Sequence, residues 1–537
     1  MQQLDPTVSS KFNQRTGSAA SFDGKRICDS IVVTAAQMRE IESKMFAAGM
    51  PVAALMEKAA VFTANRLKNL YPINLYPKVG ILSGCGHNGA DALVIARELA
   101  LSGYQIKVCQ PLTQLKTLTA EHGKYAKYLG IEFRSEIAFL ADCDLLIDGL
   151  FGFGLTREIT GVLAQIIDQI NQTSIPVVSV DLPSGIQTDT GEVLGVAVKA
   201  TQTICLGLWK LAFFQDRALE YLGKIERIDL AVPPLTIQEI LGEQPPLQII
   251  TLDFALKNLP LPRPKVTHKY QQGNLLLICG SRTYAGAAIL AAIGARAMGI
   301  GMLSIAVPET IKPLVLHHLP ESLVIACPET ESGAIEFLPL DKSNLARFTA
   351  IGFGCGLTRE NPSLLDTILP LDLPLILDAD GLNLLAQTQK IKTIVERSQP
   401  TILTPHLGEF KRLFPQIETN NRLEMVQTAA KNSQAIVLLK GARTMIAEPS
   451  GKTWIVGDST PALARGGSGD VLMGMISGLL AQTKNLQVNI ALERVAIAAC
   501  LQAEAGILAA REHTELGVDP LTLSQFVSQV IKGANQS

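Results

Sequence analysis

The chain is 537 residues long, more than one ordinary core can hold, so two or more domains are expected. Apolar residues make up 47% and charged residues 18%, the balance of a globular protein with ample surface to bury. A net charge of −2 gives no electrostatic footing for nucleic acid or an anionic membrane, and aromatics at 5% are too sparse for base stacking, so neither partner is expected.

Residues 1–30 are polar and rich in Ser, Gln, Asn and Thr, with no apolar run behind the first charges. They read as a loose extension and not as a secretory signal. From 31 to 235, continuous apolar runs alternate with helical stretches. Strands are expected at 78–83, 105–109, 144–148, 176–181 and 202–206, the pattern of a parallel sheet covered on both faces. Proline then crowds the chain from Pro233 to Pro264, which predicts a linker over 236–250. The alternation returns over 251–537, with strands expected at 274–279, 302–307, 374–378, 400–403 and 435–439. The greasiest stretch, YAGAAILAAIGARAMGIGMLSIAVP, is broken by Arg296 and several glycines, so it predicts a buried helix and strand instead of a membrane span.

Nine cysteines are scattered without a CxxC pair, which suits core packing in a reducing, cytoplasmic compartment. The seven histidines show no HExxH or similar spacing, so no zinc site is expected.

In open parallel sheets ligands bind beyond the carboxyl ends of the strands. Three loops of the first half end strands there: GCGHNGAD after Ser83, GLFGFGLTRE after Asp148 and LPSGIQTDTG after Asp181. The first contains Gly84-x-Gly86-x-x-Gly89, but a redox dinucleotide fold needs an acid at the end of the next strand. That strand ends in Val108, Cys109 and Gln110, which argues against hydride transfer. Capping of the next turn is the lesser alternative for Asp148 and Asp181 taken alone.

In the second half, ARGGSGDVLMGMISGLL places Gly466, Gly467, Ser468 and Gly469 at the start of an apolar helix. Successive amides there, aided by the helix dipole, can hold the charge of a transferring phosphoryl group. Asp470 is placed to take a proton from an attacking hydroxyl, though an N-cap is the plainer alternative. No Walker loop is present.

The motifs GCGHNGADALVIAREL, DLLIDGLFGFGLTREI and VDLPSGI resemble the NAD(P)H-hydrate epimerase domain, over roughly residues 35–235. The resemblance implies a Rossmann-like, three-layer parallel-sheet domain that interconverts R and S forms of the hydrated nicotinamide ring. It implies that Asp181 handles the proton, and that His87, Asn88, Gly89, Ala90 and Asp91, with Gly152, Phe153, Gly154, Leu155, Thr156, Arg157 and Glu158, line the substrate site. Asn88, Asp148 and Ser184 match its potassium site. Where that family has Asn-Asn-Gly-Gly-Asp, this chain has His87 to Asp91 with Ala90 in place of a glycine.

GSRTYAGAAILAA, GFGCGL, LDADGLNLL, TPHLGEFKRL, LLKGARTMI and GGSGDVL resemble NAD(P)H-hydrate dehydratase, a ribokinase-like α/β/α domain. The reaction implied is phosphorylation of the hydrate's C6 hydroxyl by ADP or ATP with Mg²⁺, then loss of phosphate. By the same resemblance Asp470 is the base, and Ala287, Gly356 and His406 join it at the hydrate. Lys440, Gly441, Ala442, Arg443 and Thr444, with Gly466 to Gly469, hold the nucleotide. Thr460 stands where an Asn is common. Asp378 and Asp380 read as helix caps and are not assigned to catalysis.

The reading is therefore a bifunctional enzyme acting on NADHX and NADPHX, expected from both families to self-associate. The alternatives are a vitamin or sugar kinase with a non-catalytic first domain, and a first half that serves only as a binding or targeting module.

Overall fold

The computed structural model describes residues 29–483 and 486–533. The extension expected over 1–30 lies, apart from its last two residues, outside them. Seven strands build the first sheet: β1 (Lys78–Ser83), β2 (Gln105–Cys109), β3 (Glu132–Arg134), β4 (Leu145–Gly149), β5 (Val177–Val180), β6 (Gln202–Leu206) and β7 (Lys224–Ile228). All pair in parallel in the order β3-β2-β1-β4-β5-β6-β7, the doubly wound arrangement. Side chains alternate across the sheet, as strand geometry requires. Ile81, Ile147 and Val178 enter one apolar layer, while Leu82, Leu146 and Val177 enter the layer on the opposite face. The strand order reverses between β1 and β4, which opens a crevice beyond their carboxyl ends.

Ten strands build the second sheet: β8 (Leu247–Ile250), β9 (Asn274–Ile278), β10 (Met302–Pro308), β11 (Leu323–Cys327), β12 (Ala350–Phe353), β13 (Leu375–Leu377), β14 (Thr401–Leu403), β15 (Ile436–Leu439), β16 (Met445–Ala447) and β17 (Thr453–Val456). Their order is β8-β17-β16-β15-β14-β13-β12-β9-β10-β11, and β16 alone runs antiparallel to its neighbours. Here the reversal falls between β9 and β12. Each of the ten expected strands is present within about a residue of its expected bounds. Those missed are largely edge or hairpin strands such as β3 and β7, whose charged, part-exposed residues lack the buried apolar run that marks a central strand.

Over the expected linker, 236–250, the chain carries most of a helix, Pro234–Leu241, and, after 242–246, an edge strand, β8, that extends the second sheet beside β17. Pro234 opens that helix at its first position, where the missing N–H would have no partner in any case.

Two helices carry the second site. Ala285–Ala297 and Ser468–Ala481 cross so closely that a Cβ on Gly474 would lie 1.8 Å from the Ala291 carbonyl oxygen. Only glycine permits that approach, and it fixes the start of the second helix against the sheet. The domains also share apolar core. Leu211 to Phe214 of the first pack in one cluster with Leu439, Met445, Ala447 and Ile455 of the second. Among the described residues, no single helix is long and apolar enough to cross a membrane.

Candidate active sites

The first site is a cavity of about 550 Å³ beyond the ends of β1, β4 and β5. His87, Asn88 and Asp91 reach it from the turn after β1, Gly152 to Arg157 from the loop after β4, and Asp181 from the end of β5. Gly89, Ala90 and Glu158 are not among its walls. Gly89 serves packing instead, since a Cβ there would lie 2.0 Å from the Gly84 carbonyl oxygen. Ala90 is wholly buried on the helix His87–Leu101 and is not a wall of the cavity.

Asp181 has a φ of +69°, a left-handed backbone that residues with side chains seldom adopt. Its Oδ1 lies 2.5 Å from Lys210 Nζ, and its Oδ2 accepts the Phe153 amide at 3.1 Å. Lys210 is only 1% exposed and also donates to the Leu206 carbonyl. Burial alone would lower this ammonium, but the adjacent Asp181 overrides it and pushes Lys210 up to about 12. Lys210 therefore stays charged.

Two further acids face it. Glu42 on the helix Ala35–Ala47 is pushed up to about 7 by burial, with Lys210 opposing and Asp181 adding to the rise. Asp91 is raised well above the ordinary carboxylate range by burial and by the charges of Asp181 and Glu42. Burial lowers His87, which keeps its ring neutral. One cavity thus holds the Asp181–Lys210 contact, an acid pushed up by burial and like charge, and a group poised near neutrality. Lys210 and Glu42 are absent from the sequence reading. A lone lysine within the apolar run LGLWKLAFF is the signal that marks Lys210.

Asp148 lies behind this cavity with Ser184. Its two oxygens accept from Ser184 Oγ at 2.6 Å, Ser184 N at 2.9 Å, Ser179 Oγ at 2.8 Å and Leu150 N at 3.2 Å. Burial still raises its pKa, and these four donors only partly offset the effect. Asn88 is buried nearby, and its Nδ2 has no hydrogen-bond partner.

The second site opens where the second sheet reverses. A cavity of about 590 Å³ is lined by Thr283, Tyr284, Ala287, Gly356, Thr358, Arg359, Asp380 and Asp470. Three of the expected hydrate contacts, Ala287, Gly356 and Asp470, are thus brought together. His406 is not. Its Nδ1 caps the helix Leu407–Leu413 by accepting from Gly408 N at 3.0 Å, and its side chain is 57% exposed.

Asp470 stands in the first turn of the helix Ser468–Ala481, which Gly467 starts with a φ of +96°. Burial pushes its carboxyl up to about 6, opposed by a hydrogen bond from Cys355 and aided by the charge of Asp378. A Cβ on Gly469 would lie 3.3 Å from Lys440 Nζ, and a Cβ on Gly466 would meet nothing within 4 Å. The glycine turn is thus open on one side and flanked by an ammonium on the other. First-turn amides have no intrahelical acceptor and can face an anion, although that of Ser468 already donates to the Arg465 carbonyl at 3.3 Å. Lys440 Nζ pairs with Asp378 Oδ1 at 2.6 Å, which places at the centre an aspartate that reads locally as a cap. Arg443 turns aside to Asp458 at 3.3 Å, and Thr460 caps a short turn by accepting from Ala462 N at 3.2 Å.

Two fused parallel-sheet α/β domains, each with acids gathered at a topological switch point, define a bifunctional small-molecule enzyme class. The family described as YjeF-related protein N-terminus matches residues 52–212, and that described as NAD(P)H-hydrate dehydratase matches residues 275–529. The bifunctional NAD(P)H-hydrate repair enzyme Nnr of Synechocystis sp. is 56% identical over 92% of this chain and 94% of its own length. Its counterpart in Thermosynechococcus vestitus is 47% identical over 94% of this chain and 98% of its own. A crystal structure of the ADP/ATP-dependent NAD(P)H-hydrate dehydratase of Bacillus subtilis, co-crystallised with ATP and Mg²⁺, is 32% identical with a TM-score of 0.46, covering 53% of this chain and 98% of that one. The chain belongs to the bifunctional NAD(P)H-hydrate repair enzyme family.

Proposed function

We propose that this chain repairs hydrated NADH and NADPH, with its first domain equilibrating the R and S hydrates and its second returning the S form to the reduced coenzyme. In the hydrate, C6 bears a hydroxyl beside the ring nitrogen. The nitrogen lone pair expels that hydroxyl as water once it is protonated, leaving a planar iminium that water attacks on either face. Such a reaction needs one group that gives a proton and one that takes it. Asp181, held by Lys210, contacts the substrate, and Glu42, balanced near neutrality, is suited to exchange the proton. The loop Gly152 to Arg157 and the side chains of His87, Asn88 and Asp91 shape the cavity around the ring.

In the second domain Asp470 takes the proton from the C6 hydroxyl, whose oxygen attacks the terminal phosphoryl group of ADP or ATP. The amides of Gly466 to Gly469, with Lys440, hold the charge on that group. Phosphate then leaves C6 and a proton leaves C5, which restores the ring double bond. Phosphate is a far better leaving group than hydroxide, and the nucleotide makes that exchange possible. Magnesium arrives on the nucleotide phosphates and takes few protein ligands.

Of the three residues that the resemblance implies for potassium in the first domain, Asp148 and Ser184 are already engaged. All four acceptor positions of Asp148 carry protein donors, and Ser184 Oγ accepts from Phe151 N at 2.8 Å while it donates to Asp148. This set does not form an open cage, and the epimerisation steps above use only protein groups and water. The eight unpaired cysteines among the described residues suit a reducing compartment such as the cytoplasm. Self-association is the further expectation, to be read from sedimentation of the full chain.

The conclusion rests on one juxtaposition: an acid poised near pH 6 at the mouth of a glycine-walled cup flanked by Lys440. A simple vitamin or sugar kinase would release a stable phosphorylated product. Purified protein given mixed hydrates and each nucleotide should regain the absorbance of reduced coenzyme with release of orthophosphate. A stable phosphorylated product with no recovered coenzyme would overturn the proposal.

A further inference from the structure

The nucleotide loop of the second domain is held by a carboxylate from the first. The loop runs from Lys440 to Thr444, directly after β15. Asp216 belongs to the first domain, six residues beyond Lys210. Its Oδ1 accepts the Arg443 amide at 3.1 Å, and its Oδ2 lies 3.2 Å from Arg422 Nη1. Arg422, its side chain 8% exposed, spans the base of the loop. Its Nη2 donates to the carbonyls of Leu439 and Lys440 at 3.1 Å each, and weakly to that of Arg443 at 3.4 Å.

Gly441 is part of the same device. A Cβ there would lie 2.4 Å from Arg422 Nη2 and 2.9 Å from Asp216 Oδ2, so a bare backbone lets the pair pass beneath the loop. Asp216 itself stands on firm ground. The preceding Leu211 to Phe214 are buried in the core that the two domains share, and Gln215 Nε2 reaches the Asp189 carbonyl at 3.0 Å and Asn421 Oδ1 at 3.2 Å. A carboxylate on a rigid, shared core thus fixes a backbone turn whose next neighbour, Lys440, flanks the glycine cup.

We propose that Asp216 is a positioning residue for the dehydratase, supplied in cis by the epimerase domain, which holds the Lys440–Thr444 loop in the form that receives the nucleotide. This rests on the assignment of that loop to the nucleotide. It also gives the fusion a physical purpose: the second site is incomplete without a residue of the first domain.

The test uses the full-length protein, with nucleotide KM, hydrate KM and kcat measured for Asp216→Ala, Asp216→Asn and, as a reference, Lys440→Ala. Removing a half-buried, charge-assisted acceptor should raise the nucleotide KM of Asp216→Ala about tenfold, with the hydrate KM and kcat little changed. Asp216→Asn keeps an oxygen able to accept the Arg443 amide, so it should recover most of that loss. A merely structural residue would lower the amount of active enzyme and leave both KM values unmoved. If Lys440→Ala raises the nucleotide KM and Asp216→Ala does not, this inference fails and the nucleotide assignment stands. If neither does, both fail. Should Asp216→Ala not fold, Gly441→Ala probes the same contact from the loop side, and an unchanged nucleotide KM there overturns the inference.

Discussion

The two sites are built on opposite electrostatic plans. The first fixes its charge with side chains: a buried Asp181–Lys210 ion pair surrounded by acids that burial pushes up. The second fixes its charge with backbone: amides of a glycine turn at a helix start, with the acid Asp470 beside them. The difference follows the chemistry. Moving water on and off a ring requires proton exchange in both directions, which titratable side chains supply. Moving a phosphoryl group requires a place for several negative charges, which preorganised amides and one ammonium supply.

This contrast can be broken at its centres. Asp470→Asn removes the proposed base beside the cup, so repair should fall about a thousandfold while exchange between R and S hydrates continues. Separate assays of coenzyme recovery and of epimer ratio check it, and a matching loss in both would erase the division between the domains.

Lys210→Met strikes the other plan. It leaves Asp181 buried without its partner, which should cost about 3–5 kcal/mol of stability and most of the epimerase rate. Denaturant unfolding and the epimer assay read both effects, and an unaltered protein would show that the ion pair is not needed.

A smaller effect separates the sites by pH. Asp470 works as a base and is charged above its pKa of about 6, so the dehydratase rate should rise through pH 6 to a plateau. Glu42 gives its proton only while it holds one, so the epimerase rate should decline above about 7. Glu42→Gln should abolish that decline while lowering the maximum, and a decline that persists would remove Glu42 from the reaction.

The smallest effect concerns the departure at Ala90. That residue is buried and is not a wall of the cavity, so Ala90→Gly should leave the hydrate KM unchanged. It should lower stability by about 1 kcal/mol through helix propensity alone. An improved KM would mean that the methyl does obstruct the substrate.

Much of this molecule is legible without coordinates. Apolar runs such as KVGILS and NLLLIC announce central strands, because a parallel strand is buried on both faces. Strand-end aspartates and glycine turns announce where ligands bind. Edge and hairpin strands such as β3 and β7 are hidden because half-exposed residues carry no such signature. Around 236–250, proline density marks breaks but does not reveal that Pro234 starts a helix or that β8 joins the second sheet.

What the amino-acid order settles by itself is local: which segments are strands, and which loops carry Asp181, Asp470 and the glycines. The tertiary structure decides the partners. Lys210 meets Asp181 across 29 residues, Lys440 meets Asp378 across 62, and Asp216 meets the Arg443 amide across 227. Strand order and domain packing bring these groups together, and no short-range pattern in the chain encodes either. Burial then raises the carboxyls of Asp470, Glu42 and Asp91, because removing water penalises the charged form.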